Sequence, residues 1–431
     1  MKKLLACIMA GALLTGCAAG AKNSSSTETE SGDKKEIITV WAWDKNFNIR
    51  VMEEAEKIYE ADHPNVDIQI VDYAREDIEK KMHTTLSTGS TKNMPDIVLV
   101  EDYTAQKFLT SYPGMFEDLT DSFDYDNFAQ YKISPMTVDG KIYGVPFDSG
   151  VAVMFYRTDY LAEAGYGASD LENITWDRFI EIGQDVYEKT GKHMISDNLN
   201  EMSGTTRMML QSADQWYYNE NGEVQIANNA ALQEAFSIFT KMKESGIIKN
   251  TNGWDAWVSS MNDGSVATVI SGAWIMPSIT AAEDQSGKWA VAPIPRLSTV
   301  DSLNASNIGG SSWYVFSGKE TKDTAIDFLN STFGQDEEFY QTILTNIGAI
   351  GTYIPAQGGS AYGEASEYFS GQNIYQDFSE WMQEIPRVNY GIYVGEADKA
   401  VHSIMPDLMS GKLTPAEAAE KVEAAVKNQV K

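Results

Sequence analysis

Apolar positions along the chain switch between two periods in a regular order. Ile37, Ile38, Thr39, Val40 and Trp41 form a β-branched run that predicts a first strand. Over residues 50–61, Val51, Ala55, Ile58 and Tyr59 fall on one helical face. His63, Pro64 and Asn65 break that helix, residues 66–71 alternate as a second strand, and residues 77–86 read as a second helix. Pro95 and Asp96 lead into Ile97, Val98, Leu99 and Val100, a continuous apolar run suited to a parallel strand buried on both faces. Strand, helix, strand, helix, strand predicts an α/β lobe around a parallel sheet.

Beyond a turn at Asp139, Gly140 and Lys141, strand pattern covers residues 142–147 and 151–156, interrupted at Asp148, Ser149 and Gly150. Thr175 is placed to cap a helix through Tyr187. Residues 230–244 are amphipathic, residues 266–270 and 290–294 read as buried strands, and residues 321–329 as a helix. Pro293 and Pro295 cannot continue a central strand, so the chain is expected to cross between lobes there. Thr414, Pro415 and Glu417 form a capping box that opens a last helix. No solenoid repeat is present. At 431 residues the chain exceeds the roughly 250–300 that one core supports, so two lobes are expected.

The N-terminus does not belong to either lobe. Lys2 and Lys3 precede a short apolar run, residues 4–14, in the order of an export signal. The run ends in Leu14, Thr15, Gly16 and Cys17, which resembles the bacterial lipoprotein box. That resemblance implies cleavage before Cys17, a signal segment of residues 1–16, and lipid on Cys17. Cleavage also removes Cys7, so no disulfide or free thiol nucleophile remains. Residues 17–36, rich in Ser, Thr, Gly and charge, read as a disordered tether.

With 33 basic and 62 acidic residues the formal charge is −29, which repels phosphate backbones and argues against a nucleic-acid binder. No apolar run reaches the roughly 20 residues of a membrane helix. The four histidines are far apart and no metal-ligand spacing occurs. Nucleophile elbows and phosphate loops are also lacking, so the chain is read as a binder without metal or cofactor rather than an enzyme. Aromatic residues beside acids at strand ends are present instead. Trp43 and Asp44 follow the first strand, Glu101, Asp102 and Tyr103 follow the strand ending at Val100, and Trp274 follows the run at 266–270. Ligands in open α/β sheets bind beyond the carboxyl ends of strands. An indole face suits the C–H face of a sugar, and a planar polar group suits its hydroxyls. Trp43 and Trp274 are therefore expected to contact ligand. Trp254 and Asp148 fit either cleft or structural roles, and Trp176, Trp257, Trp289, Trp313 and Trp381 are expected in the core.

Taken in order, several segments resemble the extracellular solute-binding proteins of ABC importers, in the carbohydrate-binding family that includes maltose-binding protein. They are residues 38–41, 95–98, 139–146, 156–161, 175–179, 262–267, 271–274 and 292–295. The resemblance implies a two-lobed periplasmic-binding-protein-like fold, each lobe a mostly parallel sheet flanked by helices, with the ligand cleft between them. It implies crossings near 145–147, 291–295 and 330–335. The lobes would then be residues 37–145 plus 296–330 and residues 146–295 plus 331–431. Trp274 matches a sugar-stacking position, and residues 385–390 match a cleft-lining stretch, which makes Arg387 and Tyr390 candidates. Ala273 stands where many relatives have an acid or amide, and Asn198, Asn200 and Glu201 stand where relatives place polar sugar contacts. The function implied is a monomeric, lipid-anchored receptor on the outer face of a bacterial membrane, passing sugar to permease subunits. A secreted glycoside hydrolase would share the aromatics and acids, and a receptor of this fold for peptides, polyamines or another non-sugar solute would share the architecture.

Overall fold

The computed structural model describes residues 35–219 and 221–430. The expected signal segment, Cys17 and the tether as far as residue 34 lie outside the described residues. Glu36, assigned above to the tether, already pairs as the first residue of a strand.

In chain order the elements begin with β1 (Glu36–Ala42), α1 (Asn48–Asp62), β2 (Val66–Asp72), α2 (Arg75–Leu86), β3 (Ile97–Glu101) and α3 (Asp102–Ser111). A hairpin of β4 (Thr137–Val138) and β5 (Lys141–Ile142) precedes β6 (Gly144–Pro146), β7 (Ala152–Arg157), α4 (Thr158–Glu163) and α5 (Trp176–Thr190). There follow β8 (Ile195–Asp197), α6 (Ser203–Ser212), α7 (Ala230–Glu244), β9 (Ile248–Asn250), α8 (Trp254–Asn262), β10 (Thr268–Gly272), α9 (Met276–Thr280) and β11 (Trp289–Pro293). The last run is β12 (Ser311–Val315), α10 (Lys322–Leu329), α11 (Glu337–Ile347), α12 (Ile374–Gln383), α13 (Val394–Met409) and α14 (Pro415–Gln429).

The first lobe is built on a sheet of order β2-β1-β3-β12-β6. β1 pairs in parallel with β2 and β3, and β12 alone runs against its neighbours β3 and β6. β1 alternates, burying Ile38, Val40 and Ala42, whereas Ile97 to Val100 of β3 are all buried because helices cover both faces. The second lobe repeats this plan. β10 and β11 flank the reversed strand β7. Backbone bonds from Ala267 to His193 and from Thr268 to Met194 then extend the sheet into the parallel pair β8 and β9. β7 is buried throughout. It sends Met154 and Tyr156 into a core with α5, α7 and α13, and Val153 and Phe155 into a second core under α12. Helix ends follow local chemistry: the Thr175 hydroxyl accepts from the Arg178 amide, and α5 stops at Gly191 with φ +67°.

The crossings sit elsewhere than expected. Residues 147–151 form the first, and the other two run beside it. Val151 bridges Asn307 on one side, and Asp148 bridges Gly351 on the other. The second crossing is therefore near 306–310 rather than 291–295. Pro293 ends β11, an edge strand, where a missing N–H is tolerated, so the prolines do not mark a change of lobe. The third begins near 349 and runs to about 356 rather than 330–335, because Phe333, Phe339, Tyr340, Ile343, Tyr353 and Ala356 pack into the first-lobe core. Residues 296–308 thus stay with the second lobe and residues 331–349 with the first.

Candidate functional site

The cleft is built from the carboxyl ends of the parallel strands. Trp43 and Asp44 follow β1, Arg75 follows β2, and Glu101 ends β3. From the second lobe come Trp254 and Asn262 on α8 and Trp274 after β10. Asp148, Gly309, Gly310 and Ser311 come from the crossing segments. These residues, with Asn46, Phe47, Asn48 and Ser278, line one cavity of about 930 Å³. That is at the upper end of the roughly 300–1,000 Å³ common for small-molecule sites. A smaller pocket of about 270 Å³ adjoins it and shares Trp254 and Trp274.

Each wall has a local cause. Asp44 turns the chain out of β1 with φ +65°, a left-handed conformation that Asp tolerates, and its carboxylate accepts from the Asn46 amide. That turn brings Asn46, Phe47 and Asn48 to the cavity. The Trp274 indole donates to the Ile308 carbonyl at 2.8 Å and stacks with Trp254 at 6.1 Å between ring centroids. Arg75 pairs with Glu101, whose charge holds the guanidinium pKa above its ordinary value. The Oδ1 atoms of Asn48 and Asn262 are buried with no hydrogen-bond partner among the described residues. An unpaired buried acceptor costs about 1–3 kcal/mol, so both atoms favour a ligand or water that can donate to them.

Beneath the cavity a polar network joins the crossings. Lys132 is fully buried and donates to Asp102 at 2.5 Å and to the carbonyls of Asp148 and Ser311, both at 2.9 Å. Ser312 donates to the other Asp102 oxygen, and the Asp148 carboxylate accepts from both the amide and the hydroxyl of Ser311. Burial pushes the Asp102 carboxyl up to about 6, against the pull of Lys132. Gly310 has φ +93°, and a Cβ there would lie 2.9 Å from the Asp102 carboxylate. Only glycine fits that approach.

The expected site residues therefore divide. Trp43, Asp44, Asp148, Trp254 and Trp274 meet in the main cavity, and Glu201 with Asn198 lies on the smaller pocket. Asn200 lines neither. Asp102 does not reach the cavity, because Lys132 and Ser312 occupy its carboxylate inside the protein. Tyr103 is also a core residue: its ring packs on Tyr390 at 4.7 Å and on Trp216 at 6.1 Å, and its hydroxyl donates to the Asn307 carbonyl. Tyr390 is 1% exposed in the same cluster, bonded to Asn307 and Gln211. Arg387 is exposed and outside both cavities. Trp176, Trp289 and Trp313 are buried as expected. Trp381 packs on the second-lobe core, and Trp257 packs there while also facing the smaller pocket. Arg75, Asn46, Asn48 and Asn262 were not anticipated, and of the strand-end segment 101–103 it is Glu101 that reaches the cavity. The strand-end rule applied to β2 would have found Arg75. Among the described residues no group of three or more His, Cys, Asp or Glu side chains is placed to hold a metal.

A family model described as bacterial extracellular solute-binding protein matches residues 54–362. The chain is 46% identical over 374 residues, 87% of its own length and 88% of the other, to a lactose-binding protein of Rhizobium radiobacter. It is 26% identical over 353 residues, 78% of each chain, to an arabinooligosaccharide-binding protein of Bacillus subtilis (strain 168). Among solved structures, the GacH receptor of Streptomyces glaucescens GLA.O, described unliganded and with acarbose and an acarbose homolog, matches with a TM-score of 0.76. The match covers 91% of this chain and 98% of that one at 17% identity, which shows a common fold.

Proposed function

The chain belongs to the bacterial extracellular solute-binding protein family, and on that premise we propose that it holds a saccharide between its lobes and delivers it to the permease subunits of an ABC importer. The supporting observation is that tryptophans from both lobes line one cleft whose other walls are amides and a pair of opposite charges. Sugar rings need apolar faces for their C–H groups and both donors and acceptors for their hydroxyls. Trp43 and Trp274 supply the first. Arg75 supplies donors only, Asp44 and Glu101 acceptors only, and Asn48 and Asn262 an acceptor each that is still unpaired. Arg75 neutralises Glu101, and donors and acceptors alternate along the wall beside aromatic faces, which suits a neutral polyhydroxyl ligand. The carboxylates on the wall also favour recognition over bond cleavage, since Glu101 is held by Arg75 and Asp148 by Ser311. The cavity volume and the names of the relatives favour a disaccharide or short oligosaccharide, with lactose the first to try.

A thermal-shift panel of lactose, arabino-oligosaccharides, amino acids and polyamines tests this. A native-state ligand at a hundredfold excess over Kd stabilises by about 2.7 kcal/mol, so a clear rise in melting temperature is expected with at least one saccharide. A rise confined to amino acids or polyamines would overturn the reading. We also propose that the receptor works as a monomer tethered to the outer face of the membrane by lipid on Cys17. Two acyl chains suffice for stable anchoring. In fractionated cells Cys17→Ala is expected to leave the membrane fraction, and a variant retained like the parent would contradict the anchor.

A further inference from the structure

An asparagine followed by glycine readily loses its side-chain amide, because glycine has no Cβ to keep its backbone nitrogen away from the asparagine Cγ. The chain holds two such pairs, Asn221 with Gly222 and Asn252 with Gly253. Their surroundings differ. The Gly222 amide donates to the Asn219 carbonyl at 2.9 Å and the Asn221 amide to the Asn219 Oδ1 at 3.0 Å, so a turn occupies the nitrogen that would attack. Asn252 and Gly253 are both exposed. Among the described residues neither the Asn252 side chain nor the Gly253 amide has a hydrogen-bond partner. A Cβ on Gly253 would meet nothing within 4 Å, so the approach to its nitrogen is open.

The chain is pinned on either side of this pair. The Thr251 amide donates to the Asp197 carbonyl at 3.0 Å, and the Gly253 carbonyl accepts from the Trp257 amide at 3.2 Å. Gly253, at φ +79°, is the residue from which α8 starts. Trp254 and Asn262 on that helix line the main cleft. A change in main-chain length at residue 252 is therefore passed directly to α8 and to the cleft wall, although Asn252 itself lines neither cavity.

We propose that Asn252 is a site of spontaneous covalent modification, and that its conversion to isoaspartate shifts α8 and weakens ligand binding, which gives the receptor a chemical lifetime. The effect on binding rests on the saccharide reading above. The Gly253 nitrogen gives up its proton and bonds to the Asn252 Cγ. The Cγ–Nδ2 bond breaks, and ammonia leaves with that proton, closing a succinimide ring. Water then opens the ring. Opening at Cγ gives aspartate on an unchanged main chain. Opening at the backbone carbonyl gives isoaspartate, whose main chain runs through Cβ and Cγ and is one carbon longer. Only water is consumed. The added carbon lies between the two pinned points, so the start of α8 must shift. Trp254, 54% exposed and stacked on Trp274, moves with it.

The full chain is incubated at mildly alkaline pH, and peptide mapping by mass spectrometry follows the amide-to-acid mass gain at each asparagine. Labelling with an isoaspartyl methyltransferase tells isoaspartate from aspartate. Asn252 is expected to convert several-fold faster than Asn221, and largely to isoaspartate; equal rates, or an intact Asn252, would overturn the site. Titration calorimetry with the best saccharide from the thermal-shift panel then compares fresh and aged parent with Asn252→Gln and Asn252→Asp. Chains carrying isoaspartate are expected to bind about tenfold more weakly than the fresh parent. Aged Asn252→Gln is expected to bind like the fresh parent, and so is Asn252→Asp, which has the charge without the added carbon. Full affinity in the isoaspartate chains, or an equal loss in Asn252→Asp, would overturn the main-chain effect on binding. Conversion is read by mass without ligand, so an intact Asn252 defeats this inference alone. A fresh parent that binds no saccharide defeats the proposed function and the effect on binding with it.

Discussion

Glu101 and Asp102 are chain neighbours with opposite surroundings. Glu101 ends β3 and faces the cleft, while Asp102 opens α3 and turns inward to Lys132. The strand-end rule located the segment, but which carboxylate faces ligand depends on where strand gives way to helix, and a one-residue shift reverses the answer. Tryptophans pose the same question, and mutation separates their roles. Trp43→Ala removes a ring on the cavity wall and is expected to cost about 2–4 kcal/mol of sugar affinity, on the scale of binding hot spots, with little change in the melting of the free protein. Trp313→Ala removes a fully buried ring that packs on Phe147 and Phe333. It is expected to cost about 3–5 kcal/mol of folding stability. Calorimetry and melting curves on both variants check the contrast. Resemblance alone placed Asn198 and Glu201 on the smaller pocket but misplaced Tyr390, which completes an aromatic cluster with Tyr103 and Trp216, residues far apart from it in the chain.

Among the elements, those with a strong period were readable. The parallel strands of the first lobe, α5 with its Thr175 cap and α14 with its Thr414 capping box all stand within a few residues of expectation. Short pieces such as β8, β9 and α8 were not, since three residues of strand show no clear alternation and their pairing depends on distant segments. The crossings failed for the same reason. Proline marks an interruption, but only the sheet order reveals that β11 is an edge. The buried Lys132 that ties the crossings together gave no sequence signal, being one lysine among many. Lys132→Met leaves the Asp102 carboxylate buried without its counter-charge, and breaking such a pair costs about 3–5 kcal/mol. Denaturant unfolding is expected to show that loss at neutral pH. The sign of the pH dependence follows from the raised folded-state pKa of Asp102. Its contribution to stability is fully present below the unfolded value of 3.8 and is lost as pH rises through about 6. The deficit of Lys132→Met is therefore expected to shrink as pH falls toward 4.

At the scale of the whole molecule, three chain segments lie side by side between two sheets of matching plan, and the cleft opens where the strands of both lobes end. Segments of this kind act as hinges when a few backbone angles absorb the motion. Aromatic rings from both lobes face the cleft, so a sugar held against both would favour the arrangement that brings the walls together. The most direct test is small-angle X-ray scattering of the chain from residue 35 onward, with and without saturating lactose or the best saccharide from the thermal-shift panel. The radius of gyration is expected to fall when the sugar is bound and to stay unchanged in Trp43→Ala at the same sugar concentration. A bound sugar that leaves the parent's radius of gyration unaltered would contradict closure on a ligand held between the lobes.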